Sequence, residues 1–240
     1  MSMSLSDSLR NRTDQHKVKN EISKEQDRKI SSIANQIVSD LEEKYPDLEF
    51  GWHKKLLLSD IQSTVVGSLD GSKFSRMTRL ELEPVRPNTY ITPDGGFIFV
   101  KVDGKKKYIC ISEEKTQGTN DKRLLEGKKK QGRGNAAERL AKNYNTLDFL
   151  FTREDIFPFV AFLQGCDFHE DYTIGDRIKS VYRFLPQNKI NLYKDEMGRG
   201  GSYFMRGHLD TEKPGTSEWS FTEMYNVMMD IAEMSLDHYC

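Results

Sequence analysis

The chain has 240 residues, of which 36% are hydrophobic and 30% charged, and its formal net charge is −1. This length is enough for one large domain or two small ones with a real hydrophobic core. No long apolar run is present, so we expect no transmembrane helix, and the polar, acid-containing N-terminus does not resemble a signal peptide. The charge is not that of a generic nucleic-acid binder, so any DNA-binding surface must come from local clusters.

The cysteines indicate the redox compartment of the protein, and the N-terminal segment predicts its first helix. Three scattered cysteines without metal-ligand spacing predict reduced thiols in a cytoplasmic protein. Residues 1–22 are polar and serine-rich, so we expect a flexible arm there and a single domain over residues 23–240. Ser23 with Gln26 has the form of a capping box, and apolar residues follow at helical spacing until Tyr45-Pro46. We therefore expect an amphipathic helix that begins at Ser23 and covers a sheet.

The segment from Ile91 to Gly118 predicts two strands joined by a tight turn. Apolar side chains alternate from Phe97 to Val102, and Asp103-Gly104 is a strong hairpin turn signal. The second run has a period of two. We expect one face to hold Ile109, Ile111, Glu113 and Lys115, and the other to hold Tyr108, Cys110, Ser112 and Glu114.

Three charged side chains meet at the end of this predicted hairpin. Asp94 opens the first strand, and Glu113 and Lys115 end the second. Two carboxylates can hold Mg²⁺, which takes oxygen ligands, keeps several waters and is completed by a substrate phosphate. The metal would acidify a bound water and stabilise charge on the scissile phosphate, and Lys115 could hold or deprotonate that water. The three residues match the PD…(D/E)xK pattern of metal-dependent nucleases, and the alternative is a hairpin with a solvated charged end.

A strongly basic segment follows the hairpin, from Lys122 to Lys142. A solvated face is the ordinary explanation of such a block. A phosphodiester substrate beside a metal site would, however, need neutralisation nearby. We therefore expect contacts to the DNA backbone from Lys122, Arg123, Lys128, Lys129, Lys130 and Lys142.

Inside this block, Asn135 with Glu138 has the form of a helix N-terminus after a glycine-rich loop. One interpretation is an ordinary capped helix. The other is a strip that presents base-reading groups, because Asn pairs with adenine and Arg with guanine in the major groove. The candidate residues for base recognition are Arg133, Gly134, Asn135, Ala136, Glu138 and Arg139.

The rest of the chain predicts scaffold. Residues 157–163 form a short apolar run, which is typical of a buried strand. Ser220 with Glu223 is a second capping box, and it opens a helix with methionine and branched apolar residues at helical spacing.

The sequence resembles the EcoRI-type restriction endonucleases. The resemblance rests on PDGG at Pro93–Gly96, EEKTQG at Glu113–Gly118 and GNAAERLAKN at Gly134–Asn143, in that order. It implies an α/β, restriction-endonuclease-like fold with a central mixed β-sheet flanked by helices. It also implies a homodimeric, Mg²⁺-dependent type II enzyme of the bacterial cytoplasm. Such an enzyme cuts both strands of double-stranded DNA at a palindromic hexanucleotide with an AATT centre and leaves 5′ overhangs.

The resemblance implies roles for individual residues. Asp94 and Glu113 become metal ligands, and Lys115 becomes the residue that organises the attacking water. Within the strip, Asn135, Glu138 and Arg139 read or buttress the adenines, while Gly134 and Ala136 lie against the pyrimidines. Arg133 stands directly before a MunI-like recognition strip, and Arg177 is a further candidate reader of the outer guanine. We therefore expect CAATTG slightly ahead of GAATTC.

Two other functions stay open at this point. The first is a repair or junction-resolving nuclease with the same metal site, which strict cleavage at one palindrome would exclude. The second is a sequence-specific DNA-binding protein without catalysis, which metal-dependent turnover would exclude.

Overall fold

A mixed β-sheet between helices forms the body of the protein in the residues that the computed structural model describes, namely 5–60, 89–118, 126–129, 135–151, 154–168, 203–206 and 218–240. The helices in these ranges are α1 (Leu5–Lys44), α2 (Asn135–Leu150) and α3 (Phe221–Tyr239). The strands are β1 (Glu49–His53), β2 (Leu56–Leu57), β3 (Tyr90–Ile91), β4 (Gly96–Val102), β5 (Lys105–Thr116), β6 (Phe159–Gln164) and β7 (Tyr203–Arg206).

Five of these strands form one sheet in the order β1-β4-β5-β6-β7, so β5 lies in the middle. The pairs β1–β4 and β4–β5 are antiparallel, whereas β5–β6 and β6–β7 are parallel. The short strands β2 and β3 form a separate antiparallel pair. The predicted α/β fold with a central mixed sheet flanked by helices is confirmed.

Helices cover both faces of this sheet. On one face, Ile33 of α1 and Met228 of α3 belong to one buried cluster with Val160 of the sheet. On the other face, Leu140 of α2 shares a second buried cluster with Phe159. The protein therefore has three layers, with α1 and α3 on one side and α2 on the other. None of the described helices combines the length and apolar character needed to cross a bilayer.

Helix α1 is longer than the sequence predicts. It ends at Lys44, before the predicted stop at Tyr45-Pro46, but it begins at Leu5 and not at Ser23. The predicted start is wrong because residues 5–22 contain neither glycine nor proline, so nothing in them interrupts the helix. That residues 1–22 act as an arm, and that residues 23–240 form one domain, stay predictions.

The β4–β5 hairpin turns at the predicted dipeptide. Asp103 and Gly104 have φ angles of 51° and 71°, which is the pair of positive values that a tight type I′ turn requires. The turn joins Val102 directly to Lys105 in the ladder.

A register shift next to Ile98 leaves Ile109 as an extra residue in β5. Tyr108 consequently packs with Ile111 on the α2 side, and Ile109 packs with Cys110 on the side of α1 and α3. The prediction that strict alternation extends over Tyr108 and Ile109 is therefore wrong. A bulge changes the face of every residue that precedes it.

The later elements follow the sequence predictions. The apolar run after residue 156 forms β6, whose six residues are all buried. At the start of α3, the Ser220 hydroxyl accepts a 3.2 Å hydrogen bond from the main-chain N–H of Glu223, and the Glu223 carboxylate accepts a 2.9 Å bond from that of Ser220. This reciprocal pair is the predicted capping box.

Candidate active site

Two glycines place Asp94 beside the end of β5. The N–H of Gly95 donates a 2.9 Å hydrogen bond to the Ser112 carbonyl, and a Cβ atom on Gly95 would lie 1.8 Å from the Ser112 hydroxyl oxygen. Gly96 has φ +75°, and a Cβ atom there would lie 2.6 Å from the carbonyl oxygen of His53. Only glycine fits so close to neighbouring strands, so the PDGG segment brings Asp94 against β5.

Asp94, Glu113 and Lys115 meet at this point. The Lys115 Nζ atom lies 2.5 Å from Asp94 Oδ2 and 2.6 Å from Glu113 Oε1. The main-chain N–H of Asp94 donates a 2.9 Å hydrogen bond to Glu113 Oε2, and that of Glu114 donates a 3.2 Å bond to Asp94 Oδ2. The structure thus brings together the three residues that the nuclease motif singled out.

Burial and mutual charge control the protonation of these groups. The Glu113 side chain is only 1% exposed, and this burial, together with the charge of Asp94, raises its pKa. Burial alone would lower the pKa of Lys115, but the charges of Glu113 and Asp94 and their hydrogen bonds outweigh it and raise that pKa. Without a bound metal ion, Lys115 is therefore an ammonium ion that donates to the two carboxylates.

The oxygen atoms at this position fit a hard divalent cation. Asp94 and Glu113 direct one carboxylate oxygen each at the same ammonium group, so the same place attracts any cation. All the side-chain ligands are oxygen atoms, the type that Mg²⁺ prefers. Among the described residues no group of three or more His, Cys, Asp or Glu side chains could hold a metal ion. Two carboxylates would leave the remaining positions to water and a phosphate oxygen, which is how Mg²⁺ sites are commonly built.

A helix residue that sequence reasoning missed holds Glu113. The side-chain amide of Asn143 on α2 donates a 2.8 Å hydrogen bond to Glu113 Oε1. The signal available in the sequence was its position: Asn143 lies three residues after Leu140 and directly before Tyr144, both of which are buried. A polar residue beside the buried stripe of a helix can reach a polar group at the edge of the core.

A second residue that sequence reasoning missed, Lys54, contacts the main chain of Asp94. Lys54, which directly follows β1, donates hydrogen bonds to the main-chain carbonyl of Asp94 and, over 2.8 Å, to the Ser31 hydroxyl oxygen on α1. Burial lowers the pKa of Lys54, against the effect of nearby carboxylates that include Asp27. No local pattern marks Lys54, because its partners are distant in the sequence.

Glu114 lies on the other face of β5, away from Glu113. Its Oε1 atom accepts a 2.7 Å hydrogen bond from the amide of Gln164, whose own oxygen accepts a 2.6 Å bond from the main-chain N–H of Trp219. Burial raises the pKa of Glu114 to about 7, with Lys29 opposing the shift. Glu114 thus belongs to a buried polar network that ties β5 and β6 to the start of α3.

The predicted DNA-contacting residues are only partly described by the structure. Helix α2 begins at Asn135 as predicted, with Ala136 next in its first turn, and Glu138, Arg139 and Lys142 are exposed along it. Lys128 and Lys129 are exposed as well, and Lys128 Nζ lies 2.6 Å from the Glu126 carboxylate. The predicted residues outside the described ranges are Lys122, Arg123, Lys130, Arg133, Gly134 and Arg177.

Comparison with known proteins agrees with this geometry. The family model for restriction endonuclease EcoRI matches residues 13–178, a stretch that includes the PDGG turn, β5 and α2. The chain is 25% identical to the type II restriction enzyme EcoRI of Escherichia coli, over 93% of this chain and 91% of that protein. It is 27% identical to the type II restriction enzyme RsrI of Cereibacter sphaeroides, over 88% of this chain and 83% of that protein. The chain therefore belongs to the EcoRI restriction endonuclease family and is a type II site-specific deoxyribonuclease.

Proposed function

We propose that this enzyme hydrolyses both strands of double-stranded DNA at a palindromic hexanucleotide with an AATT centre, with Mg²⁺ as cofactor, and leaves 5′ overhangs. The observation that carries this proposal is the meeting of Asp94, Glu113 and Lys115 at the end of the central strand. The family assignment supplies the reaction class, and the strip at residues 134–143 supplies the proposed target.

In the proposed site, Asp94 and Glu113 hold the metal ion through their carboxylate oxygens. The bound ion would acidify a water molecule and stabilise negative charge on the scissile phosphate. Beside the metal ion, Lys115 would hold the attacking water or a phosphate oxygen by donating a hydrogen bond, or would deprotonate that water. Asn143 keeps the Glu113 carboxylate in one orientation through its amide.

The proposed recognition surface is the start of α2 and the loop before it. Asn135, Glu138 and Arg139 read or buttress the adenines, and Gly134 and Ala136 lie against the pyrimidines. The exposure of Glu138 and Arg139 on the helix supports this proposal, since both side chains are free to face a DNA groove. A two-fold homodimer would present one such surface to each half of the palindrome and one active site to each strand.

The basic residues around this surface supply the proposed contacts to phosphates. They are Lys122, Arg123, Lys128, Lys129, Lys130 and Lys142. Lys128→Ala should weaken binding to all sequences alike, because phosphate contacts carry no sequence information. Asn135→Ala or Arg139→Ala should instead lower discrimination at the adenines, each by about 1–3 kcal/mol. Uniform losses from all three variants in a binding assay would contradict this division.

The decisive test is digestion of a plasmid library that carries randomised hexamers, followed by sequencing of the ends. The digestion is run with Mg²⁺ and with EDTA, and with Asp94→Asn as the inactive control. Ends that map to one AATT-centred palindrome, only with Mg²⁺, would support the proposal. Cleavage at branched or mismatched DNA would favour a repair nuclease, and tight binding without cleavage would favour a DNA-binding protein without catalysis.

The outer base pair has its own test. We propose CAATTG ahead of GAATTC, because an arginine at position 133 could reach the outer guanine, with Arg177 as the second candidate. Cleavage rates are compared on both duplexes for the parent enzyme, Arg133→Ala and Arg177→Ala. Preference for GAATTC together with an unchanged preference in Arg133→Ala would overturn the choice of flank.

A further inference from the structure

We propose that Lys54 is a positioning residue of the active site, which fixes Asp94 through the main-chain carbonyl of that residue. Lys54 lies outside the nuclease motif, yet its amine hydrogen-bonds the Asp94 carbonyl oxygen and lies 2.8 Å from the Ser31 hydroxyl oxygen. The inference rests on the proposed function, because it assigns Lys54 a role through the catalytic carboxylate.

The contacts of Asp94 show what Lys54 adds. The main-chain N–H of Asp94 and its carboxylate are both bound to β5 or to Lys115. Its carbonyl oxygen faces the other way, toward α1, where Lys54 donates to it and the Ser31 hydroxyl approaches at 3.3 Å. Among the contacts that the described residues make, only this long one with Ser31 would restrain that side of Asp94 without Lys54. A carboxylate that must meet its ligands within a fraction of an ångström depends on such support.

Lys54 is itself rigidly placed relative to the PDGG turn. It directly follows His53, which pairs with Phe97 in the β1–β4 ladder, so both segments extend from the same pair of strands. The Trp52 indole N–H also donates a 2.7 Å hydrogen bond to the Gly95 carbonyl. The main chain of Lys54 is therefore held in place relative to Asp94, as the main chain of a positioning residue must be.

The surroundings of Lys54 argue against a direct role in binding DNA phosphates. The carboxylates of Asp27, Asp94 and Glu113 all act on its charge. Its amine already has two oxygen acceptors, at Asp94 and Ser31. A phosphate-binding lysine would instead present an uncompensated ammonium group to solvent.

The experiment compares Lys54→Met, which keeps the length of the side chain but removes its donors, with Lys54→Arg, which retains them. We expect Lys54→Met to lower kcat about 10- to 100-fold, the usual effect of losing an outer-shell partner. KM for DNA, and DNA affinity in EDTA, should change less than about 2-fold, because the substitution changes none of the residues that we propose contact DNA. Lys54→Arg should recover most of kcat.

The neighbouring Lys55→Met is the matched control. It removes the same charge one residue away, where the amine lies over the Tyr90 ring at 4.2 Å, and should leave kcat unchanged. If Lys54→Met fails to fold, Ser31→Ala replaces it, with a several-fold loss in kcat expected at constant KM. An unchanged kcat in the folded variant, or a loss confined to KM and DNA affinity, would overturn the inference. Cleavage that survives Asp94→Asn would instead refute the proposed function on which it rests.

Discussion

The side-chain amide of Asn143 donates a 2.8 Å hydrogen bond to the Oε1 atom of Glu113. Asn143 lies on α2, the helix whose first turn holds the proposed base-reading residues, and Glu113 lies on the central strand of the sheet. One hydrogen bond thus joins the helix that we propose faces the bases to a carboxylate that we propose holds the metal. Any displacement of α2 would take this donor away from Glu113.

Asn143→Ala should impair both stability and cleavage. The substitution removes a hydrogen-bond donor from the Glu113 carboxylate, which is 1% exposed. Leaving a buried polar group without its partner lowers the free energy of unfolding by about 1–3 kcal/mol. Cleavage should fall about 10-fold or more, since Glu113 loses an orienting contact. Urea unfolding and single-turnover cleavage measure the two effects. Thr146→Ala is the control, because that hydroxyl donates a 2.9 Å hydrogen bond to the Lys142 carbonyl of its own helix turn. Equal losses in both variants would contradict the assignment.

Asp94→Asn, Glu113→Gln and Lys115→Met should each abolish most cleavage while leaving DNA binding intact. Each change removes a charge that the proposed transition state needs, so we expect a loss of at least about 10²-fold in cleavage rate. Fluorescence anisotropy in EDTA measures binding, and the two carboxylate variants should bind DNA as well as the parent or better, since a negative charge is lost. A variant that retains more than a tenth of the parent rate would remove its residue from the catalytic set.

Gly95→Ala should destabilise the protein by about 1–3 kcal/mol, the usual cost of overpacking, because its Cβ atom would overlap the Ser112 hydroxyl. Ser112→Ala in the same chain should recover part of the loss, and the double-mutant cycle measures that coupling. Gly104→Ala is the control for glycine replacement as such, since its Cβ atom would meet nothing within 4 Å and only its φ of +71° is unfavourable. Absence of coupling between Gly95 and Ser112 would contradict the contact.

Glu114 should make the stability of the metal-free protein depend on pH. Its pKa is raised from 4.5 to about 7, so between these values the folded state binds more protons than the unfolded state. The contribution of Glu114 to stability should therefore fall as pH rises through this window, by about 3 kcal/mol in total, and stay level above it. Glu114→Gln removes the titrating group, so its advantage over the parent should grow from pH 4.5 to 7. Urea unfolding in EDTA at several pH values measures this, and parallel curves for the two proteins would contradict it.

Much of the fold and the three central residues could be predicted because their signals are local. The Asp103-Gly104 turn, the Ser220 capping box and the stop before Pro46 each depend on a few neighbouring residues. Asp94 could be placed beside Glu113 because a hairpin fixes which residues lie opposite one another.

The rest of the site could not be predicted because it depends on contacts between distant segments. Lys54 and Asn143 contact Asp94 and Glu113, which lie 40 and 30 residues away in the sequence. No local pattern marks Lys54, and the position of Asn143 beside the buried face of α2 indicates a polar partner without identifying it. The bulge at Ile109 is equally invisible, since Tyr108-Ile109-Cys110 is as compatible with plain alternation as with an extra residue. The sequence predicts the start of α1 at Ser23, whereas it lies at Leu5, because a Ser-x-x-Gln pattern can mark a helix start and can also lie inside a helix.

The middle position of β5 in the sheet has a consequence for how the enzyme meets its substrate. At Glu113 and Lys115 the main chain of β5 pairs with β6, and helices cover both faces of the sheet, so the main chain that carries these two residues has a fixed place in the core. In the proposed reaction a duplex that bends poorly would be cut slowly even when every base edge is correct, and part of the selectivity would reside in the mechanics of the DNA.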